Sequence, residues 1–396
     1  MKKTMFKSMW GLAIIAAATV TTSCNDDDDP TPPEDGFVLV RDDLKGEFEG
    51  EEVILESGTY KLTGKLIVGA GAKLTIMPGV VIEATQVPAN EFASVRYIAV
   101  AQGGQIDVRG SADNPVVMTA TEKKPGAWGG LVLCGRAPIN KGEDAVSEVG
   151  ELTYGGSVEN DNSGSIRYLR LEYTGFAYNS DKEFNGLSMF GVGSGTTIEY
   201  VQAYEGSDDG FEWFGGTVSS NYLVVTNYSE DVGDDLFDWT EGWTGSGENW
   251  YGIRTNGGNR GIEADNNGND HVATPVSNPT IRNLTLVGAG SAGSEPQAIK
   301  LRVGTKGTFD NVVLNNWSTG FDVEHDEGIS FVGDGSLVAA NVRFINVTTK
   351  ATGKATNGNS ANVDAIFTEN NSATGAGTTG NELPSWAAGW ALPIGQ

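Results

Sequence analysis

Residues 205–243 read EGSDDGFEWFGGTVSSNYLVVTNYSEDVGDDLFDWTEGW and contain one motif twice. Asp-Asp-Gly-Phe-Glu-Trp at 208–213 returns as Asp-Asp-Leu-Phe-Asp-Trp at 234–239, a shift of 26 residues. An internal repeat of about 20–50 residues is typical of a solenoid, in which each repeat stacks on the one before it. The stretch therefore predicts a chain built from stacked coils.

The motif recurs along the chain, and a second strand pattern with Tyr or Asn near its start alternates with it. Both are short apolar runs with period-two alternation, and neither shows a helical period. Copies of the first pattern are 22–37 residues apart. This alternation predicts an all-β, single-stranded parallel β-helix, right-handed because parallel crossovers are right-handed. The first pattern occurs at 210–213, 236–239, 261–264, 298–301 and 320–323, and the second at 166–171, 198–203, 222–225, 281–286, 309–314 and 341–344.

Composition narrows the classes of ligand. The 396 residues include 52 acidic and 26 basic side chains, which give a formal net charge of -26. Nucleic acid is excluded as an expected partner, because phosphate binding needs clustered Lys and Arg. A divalent cation or a neutral ligand suits this charge better.

The N-terminus predicts a lipid anchor. Residues 1–23 combine basic residues with a short apolar run, which is typical of a signal peptide. Residues 21–24, Thr-Thr-Ser-Cys, resemble a lipobox, so we expect Cys24 to be lipidated. Residues 24–36 form an acidic, Pro-rich tether. Its Asp run at 26–29 resembles the export signal of Bacteroidota lipoproteins, which implies an outer-membrane protein that faces outward.

The remaining chain divides into three predicted parts. Residues 37–350 carry the strand patterns and form the β-helix. Residues 351–380 are rich in Gly, Thr and Asn and predict a flexible loop, with one last strand at 363–367. Residues 381–396 contain Trp386 and Trp390, and we expect them to cap the open end of the helix.

Several motifs together resemble a family of secreted β-helix lipoproteins that is common in Bacteroidota. The resemblance covers nearly all of residues 37–396 and implies a solenoid of the pectate-lyase type at the cell surface. It implies no agreed activity. The motifs are Trp-Gly-Gly-Leu at 128–131, Ala-Pro-Ile-Asn at 137–140, Phe-Gly-Gly at 214–216, Asp-Asp-Leu-Phe-Asp-Trp at 234–239 and Gly-Ile-Glu-Ala-Asp-Asn at 261–266.

Strand alternation separates inward from outward side chains in the first pattern. Phe and Trp of the motif share the inward parity, so we expect them in the core. Glu212, Asp238 and Glu263 share the outward parity and form a ladder of carboxylates about 4.8 Å apart. Such a ladder needs a cation, shared protons or a nearby Arg to offset repulsion. We therefore predict that these three residues bind a ligand. The next position, Lys300, predicts a salt bridge to its neighbours in the ladder.

Acidic residues also crowd the loops around these strands. Carboxylate and amide oxygens are the ligands that Ca²⁺ prefers, so the pattern predicts a calcium site. The alternative is that Asp and Asn serve only in tight turns, where they hydrogen-bond their own backbone. The candidate metal ligands are Asp208, Asp209, Asp231, Asp234, Asp235, Asp265 and Asp270.

Catalysis is the second hypothesis. Asp209 and the pair Asp234 and Asp235 resemble the acid and base of polygalacturonases, although the Gly-His-Gly and Arg-Ile-Lys motifs of that family are missing. A polysaccharide lyase would instead use Ca²⁺ and a basic residue, for which Arg254 and Arg260 are candidates.

The leading hypothesis is a non-catalytic surface lipoprotein. It binds an extracellular ligand such as a glycan, or assists outer-membrane transport proteins in uptake. A polysaccharide-active enzyme is the alternative, and a purely structural protein or adhesin is the third.

Overall fold

The computed structural model describes residues 36–87, 94–142, 144–179 and 182–395. The predicted signal peptide, Cys24 and the Asp run at 26–29 lie outside these residues. The first strands are β1 (Leu44–Phe48), β2 (Glu52–Leu55), β3 (Thr59–Val68), β4 (Lys73–Ile76), β5 (Val81–Ala84), β6 (Ile98–Val100), β7 (Gln105–Arg109), β8 (Val116–Ala120) and β9 (Leu131–Cys134). The middle strands are β10 (Ala145–Val146), β11 (Thr153–Tyr154), β12 (Gly164–Glu172), β13 (Ala177–Asn179), β14 (Lys182–Glu183), β15 (Leu187–Phe190), β16 (Thr197–Tyr204), β17 (Phe211–Phe214), β18 (Ser220–Asn227) and β19 (Phe237–Thr240).

The last strands follow the same alternation and are interrupted by one α-helix, α1 (His325–Asp334). No helix of the described residues is long and apolar enough to cross a membrane. The strands are β20 (Ser246–Arg254), β21 (Ile262–Ala264), β22 (Thr280–Gly290), β23 (Gln297–Leu301), β24 (Gly307–Trp317), β25 (Thr319–Glu324), β26 (Leu337–Ile345), β27 (Thr349–Lys354) and β28 (Phe367–Glu369), and the 3-10 helices are Asp364–Ile366 and Ser385–Ala387.

These strands form a parallel β-helix with three faces, as the sequence predicts. One face, here called the ladder face, stacks β9, β15, β17, β19, β21, β23, β25 and β27 in parallel register. The other two faces are supplied by one long strand per coil, from β12 onward. β7 pairs with the first half of β12 and β8 with its second half, so each long strand spans two faces.

Each long strand bends at a residue with positive φ. Tyr168, Tyr200 and Tyr222 occupy this position in three consecutive coils, and their rings stack with centroids 4.4 Å apart. Asn, which tolerates the left-handed region better than most residues, occupies it in later coils. The side chain of Asn311 there donates a hydrogen bond to that of Asn283 at 2.8 Å. This bend explains why Tyr or Asn recurs in the second sequence pattern.

The core contains the aromatic side chains that the sequence places inward. Phe211, Trp213, Phe237 and Trp239 are fully buried, which confirms the parity argument. Trp250, from the adjacent long strand, stacks on Trp213 with ring centroids 4.9 Å apart. Because these rings are buried, they cannot act as an exposed platform for sugar rings.

We predicted that residues 381–396 cap the open end of the helix. The structure places this C-terminal segment elsewhere. It lies along the side, where Trp390 packs edge-on against Tyr168 and Tyr200. The Gln202 side chain donates to Leu392 O at 2.7 Å and accepts from Leu392 N at 2.8 Å. The tyrosine stack projects from the wall of the helix and provides an apolar strip that the segment covers.

The segment 351–380 is also more regular than the flexible loop we predicted. β27 continues the ladder face by pairing with β25, and β28 pairs with β26. The predicted last strand at 363–367 is instead the 3-10 helix Asp364–Ile366 followed by β28. The polar composition of the segment 351–380 suits a region with much exposed backbone. The parallel register of the β-helix nevertheless extends into this segment through β27 and β28.

Replacing Trp390 with Ala should destabilise the whole protein. The side chain is fully buried, and truncating such a residue costs about 3–5 kcal/mol. Chemical denaturation followed by circular dichroism measures the loss. Glu382→Ala, an exposed change in the same segment, should alter the free energy of unfolding by less than about 0.5 kcal/mol. Equal effects of the two variants would show that the segment does not support the fold.

Candidate functional site

The ladder face holds the predicted carboxylates in consecutive register. Glu212 pairs with Asp238, and Asp238 pairs with Glu263. Lys300 and then Asp322 continue the row. Their neighbours along each strand are buried, so the alternation directs these charged side chains away from the core. The sequence therefore predicts the ladder correctly.

The corner loops add two pairs of aspartates that also stack. Asp208 and Asp209 precede β17, and Asp234 and Asp235 precede β19. Asp209 Oδ1 accepts a hydrogen bond from Asp235 N at 2.7 Å, and the Asp235 carboxylate accepts one from Arg260 N. The second aspartate of each pair thus binds the backbone of the next coil, which supports the turn-forming role that we weighed against a metal site.

The corners and the ladder together form an acidic cluster of seven residues. It contains three groups, in each of which three carboxylate oxygens lie within 4.8 Å of one another. We call this set the acidic cluster below. The groups are Asp208, Asp209 and Asp234; Asp209, Glu212 and Asp238; and Asp235, Asp238 and Glu263.

The acidic cluster is less exposed than an outward-facing ladder would be. Burial is the main cause that raises the pKa of Asp209, Glu212 and Asp238 well above their ordinary values, and neighbouring carboxylates add to it. Loops that leave the ladder face cover the site, and Asn185 Nδ2 donates to Glu212 at 2.6 Å. Asp238 has no hydrogen bond or ion pair with any described residue. Its charge is therefore the least compensated of the ladder.

Two arginines neutralise one end of the acidic cluster, which is one of the three ways that we expected the repulsion in the ladder to be offset. Glu263 forms salt bridges with Arg260 at 2.7 Å and with Arg302 at 2.8 Å. Arg302 also donates to both carboxylate oxygens of Asp265, at 2.9 and 2.8 Å. Asp265 is thus held by a guanidinium and lies outside the three groups, so we withdraw it as a metal ligand.

The row beyond Glu263 is only partly as predicted. Lys300 lies 3.6 Å from Asp322 and 3.3 Å from Glu324. These ion pairs confirm a salt bridge to the following position. Glu263 is engaged by the two arginines and forms no salt bridge with Lys300. Lys300 therefore pairs with the ladder position that follows it, Asp322, and not with the one before it, Glu263.

Other candidates are placed where they cannot serve the predicted role. Asp231 and Asp270 are exposed and lie outside the three groups, so they are not brought to the site. Arg254 is 0% exposed and donates to Asp234 O at 2.9 Å. Asp235 is also 0% exposed and bonds Arg260 at 3.2 Å. A polymer could not contact either side chain.

Sequence reasoning missed several residues of the site. Arg302 lies two residues after Lys300 and therefore has the same outward parity. This parity could have predicted Arg302 as a residue of the site. Glu148 and Asn185 carry no such signal, because they belong to loops between the strands. Glu148 raises the pKa of Asp208 and Glu212, so its carboxylate lies near both. Burial, with the charges of Glu241 and Glu183, raises the pKa of Glu148 itself to about 7.

A cavity of about 430 Å³ is lined in part by Glu148. Its wall contains two tyrosines, Tyr97 and Tyr178, which both pack against Phe184 with ring centroids 5.0 and 5.8 Å apart. Glu148 lines the cavity and also acts on the cluster, which joins the two features. The remaining lining residues are Lys65, Val95, Gly150, Glu151 and Lys182.

Comparison with known proteins gives the fold class of this chain. A family model described as a pectate-lyase-like β-helix domain matches residues 46–391. The match extends from β1 to the segment that packs along the side. No curated protein and no solved structure matched the chain. The comparisons therefore name no ligand for the acidic cluster or the cavity.

In chelator, the stability of the protein should fall as the pH rises from about 4 to about 8. Burial raises the pKa of Asp235 to about 6 and that of Glu263 to about 8. The folded state then binds more protons than the unfolded state across this range, so raising the pH disfavours folding. Denaturation midpoints at several pH values measure the effect.

Asp238→Asn should reduce this pH dependence and stabilise the protein at pH 8 by about 1–3 kcal/mol, because it removes one buried charge. Asp322→Asn is the matched control on the same ladder, since Asp322 is bonded to Thr352 and lies near Lys300. It should leave the pH dependence unchanged. If the denaturation midpoint of the unsubstituted protein did not change with pH, this would contradict the uncompensated charge at Asp238.

Proposed function

This chain belongs to the pectate-lyase-like β-helix domain family, and we propose that it is a non-catalytic glycan-binding protein that uses Ca²⁺. The sugar would occupy the cavity beside the ladder face, and the cation would occupy the acidic cluster. The family supplies the scaffold, whereas the proposal depends on the side chains of this chain.

The observation that carries the proposal is Glu148, which lines the cavity and whose charge acts on Asp208 and Glu212 of the acidic cluster. Sugar sites combine aromatic rings, which contact the apolar face of the sugar, with a few polar groups that bind its hydroxyls. Tyr178, which is half-buried, provides the ring, because Tyr97 is only 4% exposed. Glu148, Glu151 and Lys182 provide polar groups. The volume of about 430 Å³ suits one or two sugar units.

Calcium is the cation that the donor atoms favour. The three groups of the acidic cluster offer only carboxylate oxygens, and hard cations such as Ca²⁺ take six to eight oxygen ligands. A bound cation would offset the repulsion that the raised pKa values reflect. It would also hold the covering loops, and with them Glu148, in position for the sugar.

The alternative of a glycan-active hydrolase or lyase has one observation in its favour. The pKa of Glu148 is about 7, which suits a general acid, and this residue lines the cavity. The candidates from the sequence are less suitable: Asp209 is only 7% exposed and bonded to Asp235 N, while Asp235 and Arg254 are fully buried. Binding without cleavage is therefore the better supported function.

The sequence supports a location for this binding. A lipid on Cys24 would anchor the protein in the outer membrane, and the Asp run at 26–29 would direct it to the outer surface, as in Bacteroidota lipoproteins. The expected partners are polysaccharide and outer-membrane transport proteins that would receive it. An unlipidated Cys24 in the mature protein, detected by mass spectrometry, would contradict this location.

Binding can be tested with the full chain and a panel of neutral and acidic polysaccharides, in Ca²⁺ and in chelator. Affinity electrophoresis follows retention, and size-exclusion chromatography follows polymer length. We expect retention that depends on Ca²⁺, without shortening of the polymer. Tyr178→Ala should weaken the binding about tenfold, or about 1.4 kcal/mol, while Phe331→Ala, an aromatic truncation on α1, should leave it unchanged.

The outcomes separate the three hypotheses. Shortening of a polymer, lost in Glu148→Gln or Asp209→Asn, would replace the binding protein with the enzyme. Absence of retention for every polymer would overturn glycan binding and favour a structural protein or an adhesin. Retention that Tyr178→Ala leaves intact would move the binding site away from the cavity.

A further inference from the structure

The carboxylates of the acidic cluster divide into two halves with different partners. Asp235 and Glu263 form salt bridges with Arg260, and Glu263 also pairs with Arg302. The carboxylates of the other half form no salt bridge with a Lys or Arg of the described residues, and Arg254 reaches only the backbone oxygen of Asp234. We call it the open half; it contains Asp208, Asp209, Glu212, Asp234 and Asp238.

The open half contains two complete groups of three carboxylates that share Asp209. One joins Asp209 to Asp208 and Asp234, and the other joins it to Glu212 and Asp238. Oxygens on opposite sides of one Ca²⁺ are at most about 4.6–5.2 Å apart, twice the Ca–O distance. The separations of up to 4.8 Å in each group therefore match one ion per group.

The third group is closed to an ion. It consists of Asp235, Asp238 and Glu263, and guanidinium groups already engage two of these three carboxylates. A cation there would be repelled by Arg260 and Arg302. The arginines thus mark where the cation-binding part of the cluster ends.

A buried amide gives independent support for a ligand in the open half. Asn185 is 1% exposed, and its Nδ2 donates to Glu212 at 2.6 Å. Its Oδ1 is buried and has no hydrogen-bond partner. A buried carbonyl oxygen without a partner is unfavourable, and an amide oxygen is a good ligand for a hard cation. The Asn185 amide contacts the second group through Nδ2, and its Oδ1, on the same amide, is the atom left free for a ligand.

Charge indicates how many ions the site needs. The acidic cluster, Asp265, Glu148 and Glu295 carry ten carboxylates when ionised, and Arg254, Arg260 and Arg302 supply three positive charges. One divalent cation would leave five negative charges uncompensated, whereas two leave three. Uncompensated buried charge is strongly unfavourable, so two ions fit the site better than one.

We infer that the open half is a binuclear centre for two calcium-type cations, bridged by Asp209. One ion lies among Asp208, Asp209 and Asp234, and the other among Asp209, Glu212 and Asp238 with Asn185 beside it. This inference rests on the cation binding proposed above and adds the number of ions, their ligands and their bridge.

Stoichiometry tests the centre directly. The full chain is stripped with chelator, titrated with Ca²⁺ in a calorimeter and weighed by native mass spectrometry. We expect two ions per chain. Asp208→Asn should leave one ion, Asp209→Asn should weaken both sites at least tenfold, and Asn185→Ala should weaken only one. Asp322→Asn, on the same ladder but outside the centre, should still bind two. Melting curves in chelator check that each variant folds.

Each result has a defined meaning. Two ions that both depend on Asp209 support the bridge. One ion per chain overturns the binuclear centre while leaving the proposed cation binding intact, and no ion overturns both. Two ions that survive Asp209→Asn with unchanged affinity place the ions elsewhere and overturn the inference. Two ions without glycan retention would remove the proposed glycan binding and leave the binuclear centre in place.

Discussion

Parallel stacking in one register is the constraint on which the rest of this structure depends. On the ladder face, each residue lies over the equivalent residue of the previous coil, about 4.8 Å away. Equivalent side chains of consecutive coils therefore form a column. Inside, the columns of Phe and Trp exclude water and stack. Outside, the same periodicity concentrates carboxylates, which lose solvation and repel one another. Core stability and the electrostatic stress of the site share one cause.

Basic side chains compensate the repulsion between these carboxylates unevenly along the ladder. Arg260 and Arg302 serve Glu263, and Lys300 serves Asp322 and Glu324. Asp238, between Glu212 and Glu263, receives no basic partner from the described residues. Burial of this part of the ladder, which raises the pKa of Glu212 and Asp238, strengthens each interaction by removing water. The functional site is therefore the part of a continuous column where burial is high and compensation is missing.

The long strands meet a different requirement, because each must turn between two faces at one residue. Asn accepts the left-handed backbone at this bend, whereas a Tyr there carries a steric cost of about 1–2 kcal/mol. Stacking of Tyr168, Tyr200 and Tyr222, together with the cover that Trp390 provides, offsets this cost. The C-terminal segment thus covers one side of the helix beside earlier coils, although in sequence it follows the last coil.

Period-two alternation and repeat spacing are enough to predict the parallel β-helix, the inward Phe and Trp, and the row Glu212, Asp238 and Glu263. The folded chain was needed to show that Asn185 reaches Glu212 across 27 residues and that Leu392 meets Gln202 across 190. Such contacts depend on the paths of loops between coils, and those paths leave no period in the chain. Alternation sets the direction of a side chain, while its neighbours from other coils set its charge balance.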